Sequence, residues 1–143
     1  MELLIPADGE VGILDELSSV LAANGFPAVT KAAQTLGTKL PTSTPKPPEF
    51  GRVIGTGGSG RDLVTDSPTL VLEGYAQKEQ RARDLCALML AGVERAAKIG
   101  KLGTLTIYRA RVAALPGNLP NPLVPDRFRY SATVSVDLRR VTV

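Results

Sequence analysis

Along residues 9–23, GEVGILDELSSVLAA, apolar positions recur three and four apart: Ile13, Leu14, Leu17, Val20 and Leu21 share one stripe. That spacing predicts a first helix. Asp8 is placed to cap it, Glu10 falls in the first turn where the helix dipole favours an anion, and Asn24-Gly25 stops it. Phe26-Pro27 breaks the pattern, and the stretch 26–38 reads as either a strand or a short helical turn. A longer stripe follows in residues 76–98, where Ala82, Leu85, Cys86, Met89, Val93, Ala96 and Ala97 fall on one face. This predicts the principal helix, ended by Gly100 and Gly103. Leu88 and Leu90 lie off that stripe and suggest a second buried face, against another layer or another subunit.

The period changes from 3.6 to 2 in the C-terminal stretch. Phe128, Tyr130, Ala132, Val134, Val136 and Leu138 alternate with Arg127, Arg129, Ser131, Thr133, Ser135, Asp137 and Arg139. This predicts a half-buried antiparallel strand over 127–141, with one wet or interface face. Shorter strands are expected at 50–54, 69–75 and 104–113, with Asp66-Ser67-Pro68 as a turn. Prolines 41, 45, 47 and 48 make residues 39–49 an extended arm, and four more make residues 116–125 a rigid loop. Gly55, Gly57, Gly58 and Gly60 mark residues 55–62 as a flexible hairpin tip. The order helix, arm, two strands, helix, two strands predicts one α+β domain over 1–143. Its expected core is an antiparallel four-stranded sheet of two hairpins, with the N-terminal helix and the long central helix packed on it.

The 143 residues include no His and a single Cys, which excludes His-based catalytic triads, His-containing metal sites and an internal disulfide. No catalytic residue, cofactor site or metal site is expected, and the chain does not read as an enzyme. No apolar run approaches the roughly 18–20 residues of a membrane span, and the opening MELLIPADGE lacks the basic and apolar regions of a signal peptide. No membrane partner is therefore expected. The net charge of +3 is unevenly placed. Residues 1–50 carry six acids against three bases, whereas residues 98–143 carry eight bases against two acids. Arg109, Arg111, Arg127, Arg129, Arg139 and Arg140 supply six of those eight. An arginine-biased surface suits phosphate or carboxylate partners. The same residues suit a solvated strand face paired with acids of the first helix or of a neighbouring subunit, the commoner arrangement for such charges.

Two motifs invite stronger readings. Gly55, Gly57 and Gly60 match the glycine spacing of a dinucleotide loop, but the following RDLVTDSP has no helical stripe and reaches Pro68 within eight positions. Without a strand–loop–helix unit the glycines do not cradle a phosphate. They and Arg61 read instead as a partner-contacting loop. Phe128 and Tyr130 alternate with Arg127 and Arg129, so aromatic and basic groups fall on opposite strand faces. That is not a stacking platform for bases, which leaves only passive contact with a phosphate backbone.

The C-terminal half resembles tail terminator proteins of long-tailed bacteriophages. The segments that carry the resemblance are PTLVLEGYA leading into the Ala-rich helix, the loop ALPGNLPNPLVPDRFRY, and the closing strand SATVSVDLR. Pro125, Arg127 and Tyr130 stand near the family's Pro-x-Arg-Tyr-like stretch with looser spacing, and LDELSSVLAANG fits its opening helix. The likeness extends over residues 9–141. It implies a structural virion protein, assembled in the host cytoplasm, that forms a hexameric ring. Such a ring caps the tail tube, stops its polymerisation and meets the head connector, while DNA passes through the lumen without sequence-specific contacts. The arginines named above would line the lumen or join subunits. Another head–tail joining protein of similar build, or a small nucleic-acid-binding module, are the alternatives.

Overall fold

The computed structural model describes residues 2–143. In chain order the elements are β1 (Leu4–Ile5), α1 (Gly9–Ala23), β2 (Leu36–Gly37), β3 (Glu49–Gly60), β4 (Thr65–Ala76), α2 (Glu79–Ile99), β5 (Lys101–Leu102), β6 (Leu105–Asn118), β7 (Phe128–Arg139) and β8 (Val141–Thr142). The expected four-stranded antiparallel sheet is corrected by the topology. The sheet has six strands in the order β2-β3-β4-β7-β6-β5 and curls into a half-barrel. It is mixed, because β2 runs parallel to β3, and a separate antiparallel pair joins β1 to β8. The four additional strands have two residues each, too short to carry a period-2 signal.

Both helices begin and end for local reasons. The Asp8 carboxylate accepts from the Val11 amide at 3.1 Å, which satisfies one free donor of the first turn of α1. At the end of α2, Gly100 adopts the left-handed conformation and its amide returns to the Ala96 carbonyl at 2.8 Å. The stripe of α2 then packs on the even-numbered residues of β4 and β7, with Leu70, Leu72, Ala132, Val134, Val136 and Leu138 buried. Gly74 permits the close approach: a Cβ there would lie 2.8 Å from the Ala82 carbonyl oxygen. Leu90 is buried in this core, which α1 also enters, and Leu88 packs against it. Since α1 touches both edge strands, β2 and β5, the helices fill the hollow of the curl. The helix-free face is therefore the convex one.

The long strands exceed their expected limits for identifiable reasons. In β4 the expected turn Asp66-Ser67-Pro68 is strand, and Pro68 sits opposite Gly58 where a bulge between Gly55 and Gly58 removes the need for its missing amide. Gly58 has φ +127°, and a Cβ would come 2.3 Å from the Ser67 carbonyl oxygen, so only glycine fits. The hairpin turn is residues 61–64, fixed by Asp62, whose carboxylate accepts from the amides of Val64 and Thr65. The outer edge of β6 pairs with β5 only at Leu105 and Thr106, and three register shifts against β7 interrupt the rest of the strand.

Candidate interaction surfaces

Odd-numbered residues of β4 and β7, together with Arg52, Arg109 and Arg111, project from the convex face. They include the small hydroxylic Ser67, Thr69, Ser131, Thr133 and Ser135. Two buried carboxylates organise the arginines. Glu73, 3 % exposed, accepts from Arg52 Nε at 2.6 Å, from Arg129 Nη1 at 2.8 Å and from the Tyr75 hydroxyl at 3.0 Å. Burial pulls the Arg52 guanidinium down, but the Glu73 carboxylate outweighs it and the net shift is upward. Asp137, 1 % exposed, accepts from Ser67 Oγ at 2.6 Å and from Arg61 Nη1 at 2.9 Å, with Arg111 at 3.6 Å. Arg109 lies directly across the ladder from Asp137, and Arg139 is on the same face two residues along β7. Two arginines thus contact this carboxylate, and Arg109 and Arg139 stand beside it on the same face, which makes this part of the sheet rich in arginine.

The other two candidate arginines do different work. Arg140 grips Asp66 through both oxygens at 2.9–3.1 Å, which raises the guanidinium above its ordinary pKa through that hydrogen bond. Arg127 precedes β7, has a side chain only 7 % exposed, and donates to the carbonyls of Lys46 and Pro47 at 3.0–3.2 Å. Lys46 in turn meets Asp126 at 2.9 Å. These contacts clip the proline-rich arm to the proline-rich loop. Beneath the clip, Phe50 and Tyr75 stack at 4.7 Å with Val124 and Leu40 around them, and Asn121 Nδ2 donates to the Tyr75 hydroxyl at 3.0 Å. The arm's second half is therefore fastened to the sheet through buried groups.

The glycine segment is also structural. Gly55 and Gly60 are β3 residues paired with Leu70 and Asp66, Thr56 and Gly57 form the bulge, and Gly58 closes it opposite Pro68. The Gly55 amide donates to Glu10 Oε2 at 3.1 Å, tying β3 to α1, while Arg61 reaches over to Asp137. No helix follows the glycines, so they offer no helix N-terminus to a phosphate.

Large exposed apolar side chains gather at the two ends of the long strands. At the turn end stand Leu3, Leu4, Ile5, Leu63, Val64 and Val143; at the loop end stand Leu115, Leu119, Leu123 and Phe128. A cleft of about 260 Å³ at the loop end is lined by Pro120, Pro125, Asp126, Arg127 and Phe128. The residues Leu63 and Leu123 were not singled out from the sequence, although two apolar residues inside the turn-like RDLVTDSP are a signal that a turn alone does not require. Among the described residues no group of His, Cys, Asp and Glu is placed to hold a metal, and no helix is long and apolar enough to cross a membrane. Cys86 is buried in the core, and burial followed by the nearby Glu73 charge pushes its thiol up to about 12, so it is not a nucleophile at neutral pH. No family model matches the chain, and no curated protein is found similar to it.

Proposed function

We propose that this chain is the subunit of a phage tail terminator ring, which caps the tail tube, halts its growth and meets the head connector in the virion. The observation that carries the reading is the pair of unlike apolar ends on one rigid sheet. A ring of identical subunits needs two different contact surfaces on each copy, and these ends supply two. The tail terminator resemblance of the segments around α2, the loop and β7 points the same way. The role we assign is structural. The cleft at Pro48, Glu49, Gln77, Lys78 and Arg81 has its one carboxylate committed to Arg81 at 2.6 Å. In this reading the convex arginine face passively meets the DNA that traverses the ring. Light scattering with negative-stain imaging tests the assignment. Six-fold rings, or protein bound at one end of tail tubes, are expected. A strict monomer that never associates with tubes overturns the reading.

The cluster of Arg61, Arg109, Arg111 and Arg139 favours a second reading, a small nucleic-acid-binding module. Its discriminating property is DNA retention that falls steeply with salt in the absence of any ring.

A further inference from the structure

We infer that subunits join end to end, with the Leu63 apex of one copy seated in the Pro120–Pro125–Phe128 cleft of the next. The inference rests on the ring-forming reading above and specifies which surfaces make the subunit contact.

Exposed apolar residues scattered singly are ordinary, but clusters mark interaction sites. Of the fourteen large exposed hydrophobics among the described residues, ten stand at the two ends of the strands. The turn end is ordered without being buried. The Arg140 amide donates to the Val64 carbonyl at 2.7 Å, the Val143 amide donates to the Leu3 carbonyl at 3.0 Å, and the Arg140–Asp66 pair locks the corner. Holding backbone in place without burying side chains is unfavourable in the isolated subunit and becomes favourable once the surface is covered. Leu63 is the most exposed of these residues, at 86 %, and it crowns a turn fixed by Asp62.

The loop end is built as a receptor. Its cleft, about 260 Å³, is walled by Pro120, Pro125 and Phe128 with Asp126 and Arg127 beside them. The walls are held from behind by Arg127 on the arm carbonyls and by Val124 in the Phe50–Tyr75 cluster. Binding to such a preorganised loop loses little conformational entropy. The exposed apolar residues at each end present on the order of 500–600 Å² per partner, close to the ~600–800 Å² that each side of a specific interface buries. A knob at one end and a cleft at the other make a heterologous contact, which closes into a ring when the rotation between copies allows it and otherwise runs on as a filament.

Leu63→Asp and Leu123→Asp change fully solvated side chains and leave the core intact. Both variants are expected to sediment as monomers where the parent chain forms rings. Site-specific cross-linking adds orientation: Leu63→Cys mixed with Pro125→Cys should give a disulfide-linked pair under mild oxidation, while either variant alone should not. Parent rings that persist in Leu63→Asp with no cross-link in the mixture overturn the contact and leave the ring reading standing. A parent chain that is monomeric alone and on tail tubes overturns both. A parent chain that is monomeric alone but caps tubes through Leu63 overturns the second copy as occupant and identifies a tube protein instead.

Discussion

Removing the Glu73 carboxylate should destabilise the fold and loosen the loop end together. In Glu73→Ala, Arg52 and Arg129 lose bonds of 2.6 and 2.8 Å and face one another across a small void, and the Tyr75 hydroxyl loses its acceptor at 3.0 Å. Breaking a buried ion pair by deleting one partner costs about 3–5 kcal/mol. Both guanidiniums keep roughly a fifth of their surface in solvent and regain water, so the lower part of that range applies, about 3 kcal/mol. With a urea slope of ~1.5–2 kcal/mol/M for a chain of this size, the denaturation midpoint should fall by roughly 1.5–2 M. Glu73→Gln keeps an acceptor and the shape and should lose about half as much. The triple variant Arg52→Met, Glu73→Leu, Arg129→Met removes every charge at once and should come out near the parent. Arg129 also donates to the Leu119 carbonyl, and Tyr75 holds Asn121, so hydrogen exchange over residues 119–127 should rise in Glu73→Ala. A midpoint shift below about 0.3 M with unchanged exchange in that loop would refute the argument that this carboxylate supports the loop end.

Gly58→Ala should cost more than about 2 kcal/mol, because a Cβ meets the Ser67 carbonyl at 2.3 Å, whereas Gly57→Ala has open space and should cost about 1 kcal/mol for its positive φ alone; thermal melts that rank them the other way would contradict the bulge geometry. Cys86 should resist iodoacetamide at pH 8 in the native state and react once unfolded, since a thiol pushed up to about 12 is thiolate in only ~10⁻⁴ of molecules. The raised value also means that its contribution to stability is complete below the ordinary ~8.5 and is lost as pH climbs toward the folded value; rapid native alkylation would refute its burial. Hydrogen bonding to Lys46 holds the Asp126 carboxyl below the usual carboxylate range, so the clip's electrostatic contribution is intact above the ordinary ~3.9 and fades as pH falls through the lower folded value. A carboxyl chemical-shift titration of Asp126 with its midpoint at or above the ordinary value would count against the clip.

The elements that declared themselves in the sequence are those whose side chains repeat. The stripe at Ile13, Leu14, Leu17, Val20 and Leu21 matches α1 at Gly9–Ala23, and the alternation from Phe128 to Leu138 lies within β7 at Phe128–Arg139. The two-residue strands β1, β2, β5 and β8 were invisible because two positions define no period, and with them went the parallel pair and the curl. Glycine and proline misled in a physical way. Gly55 to Gly60 and Pro68 look like turn residues, yet they lie on the two strands of one ladder, with the bulge at Thr56 and Gly57 beside the Gly58–Pro68 pair. The arginines were legible as a set but not as individuals. Arg129, Arg127 and Arg140 are committed to Glu73, to the arm carbonyls and to Asp66, and those partners lie between 56 and 81 residues away in sequence. No local pattern encodes such pairings.

The three register shifts in β6 bear on how this protein survives at high concentration. A strand of fourteen residues with its outer edge largely open would ordinarily recruit any extended chain it meets. The shifts at Ile107/Arg109, Val112/Ala114 and Ala114/Gly117 break the even spacing of donors and acceptors, and Pro116 withdraws one donor altogether. A second strand therefore finds no regular run along β6 longer than the four residues Arg109–Val112. Backbone pairing along this edge is thereby limited to short runs, and contact with another chain falls to the side chains.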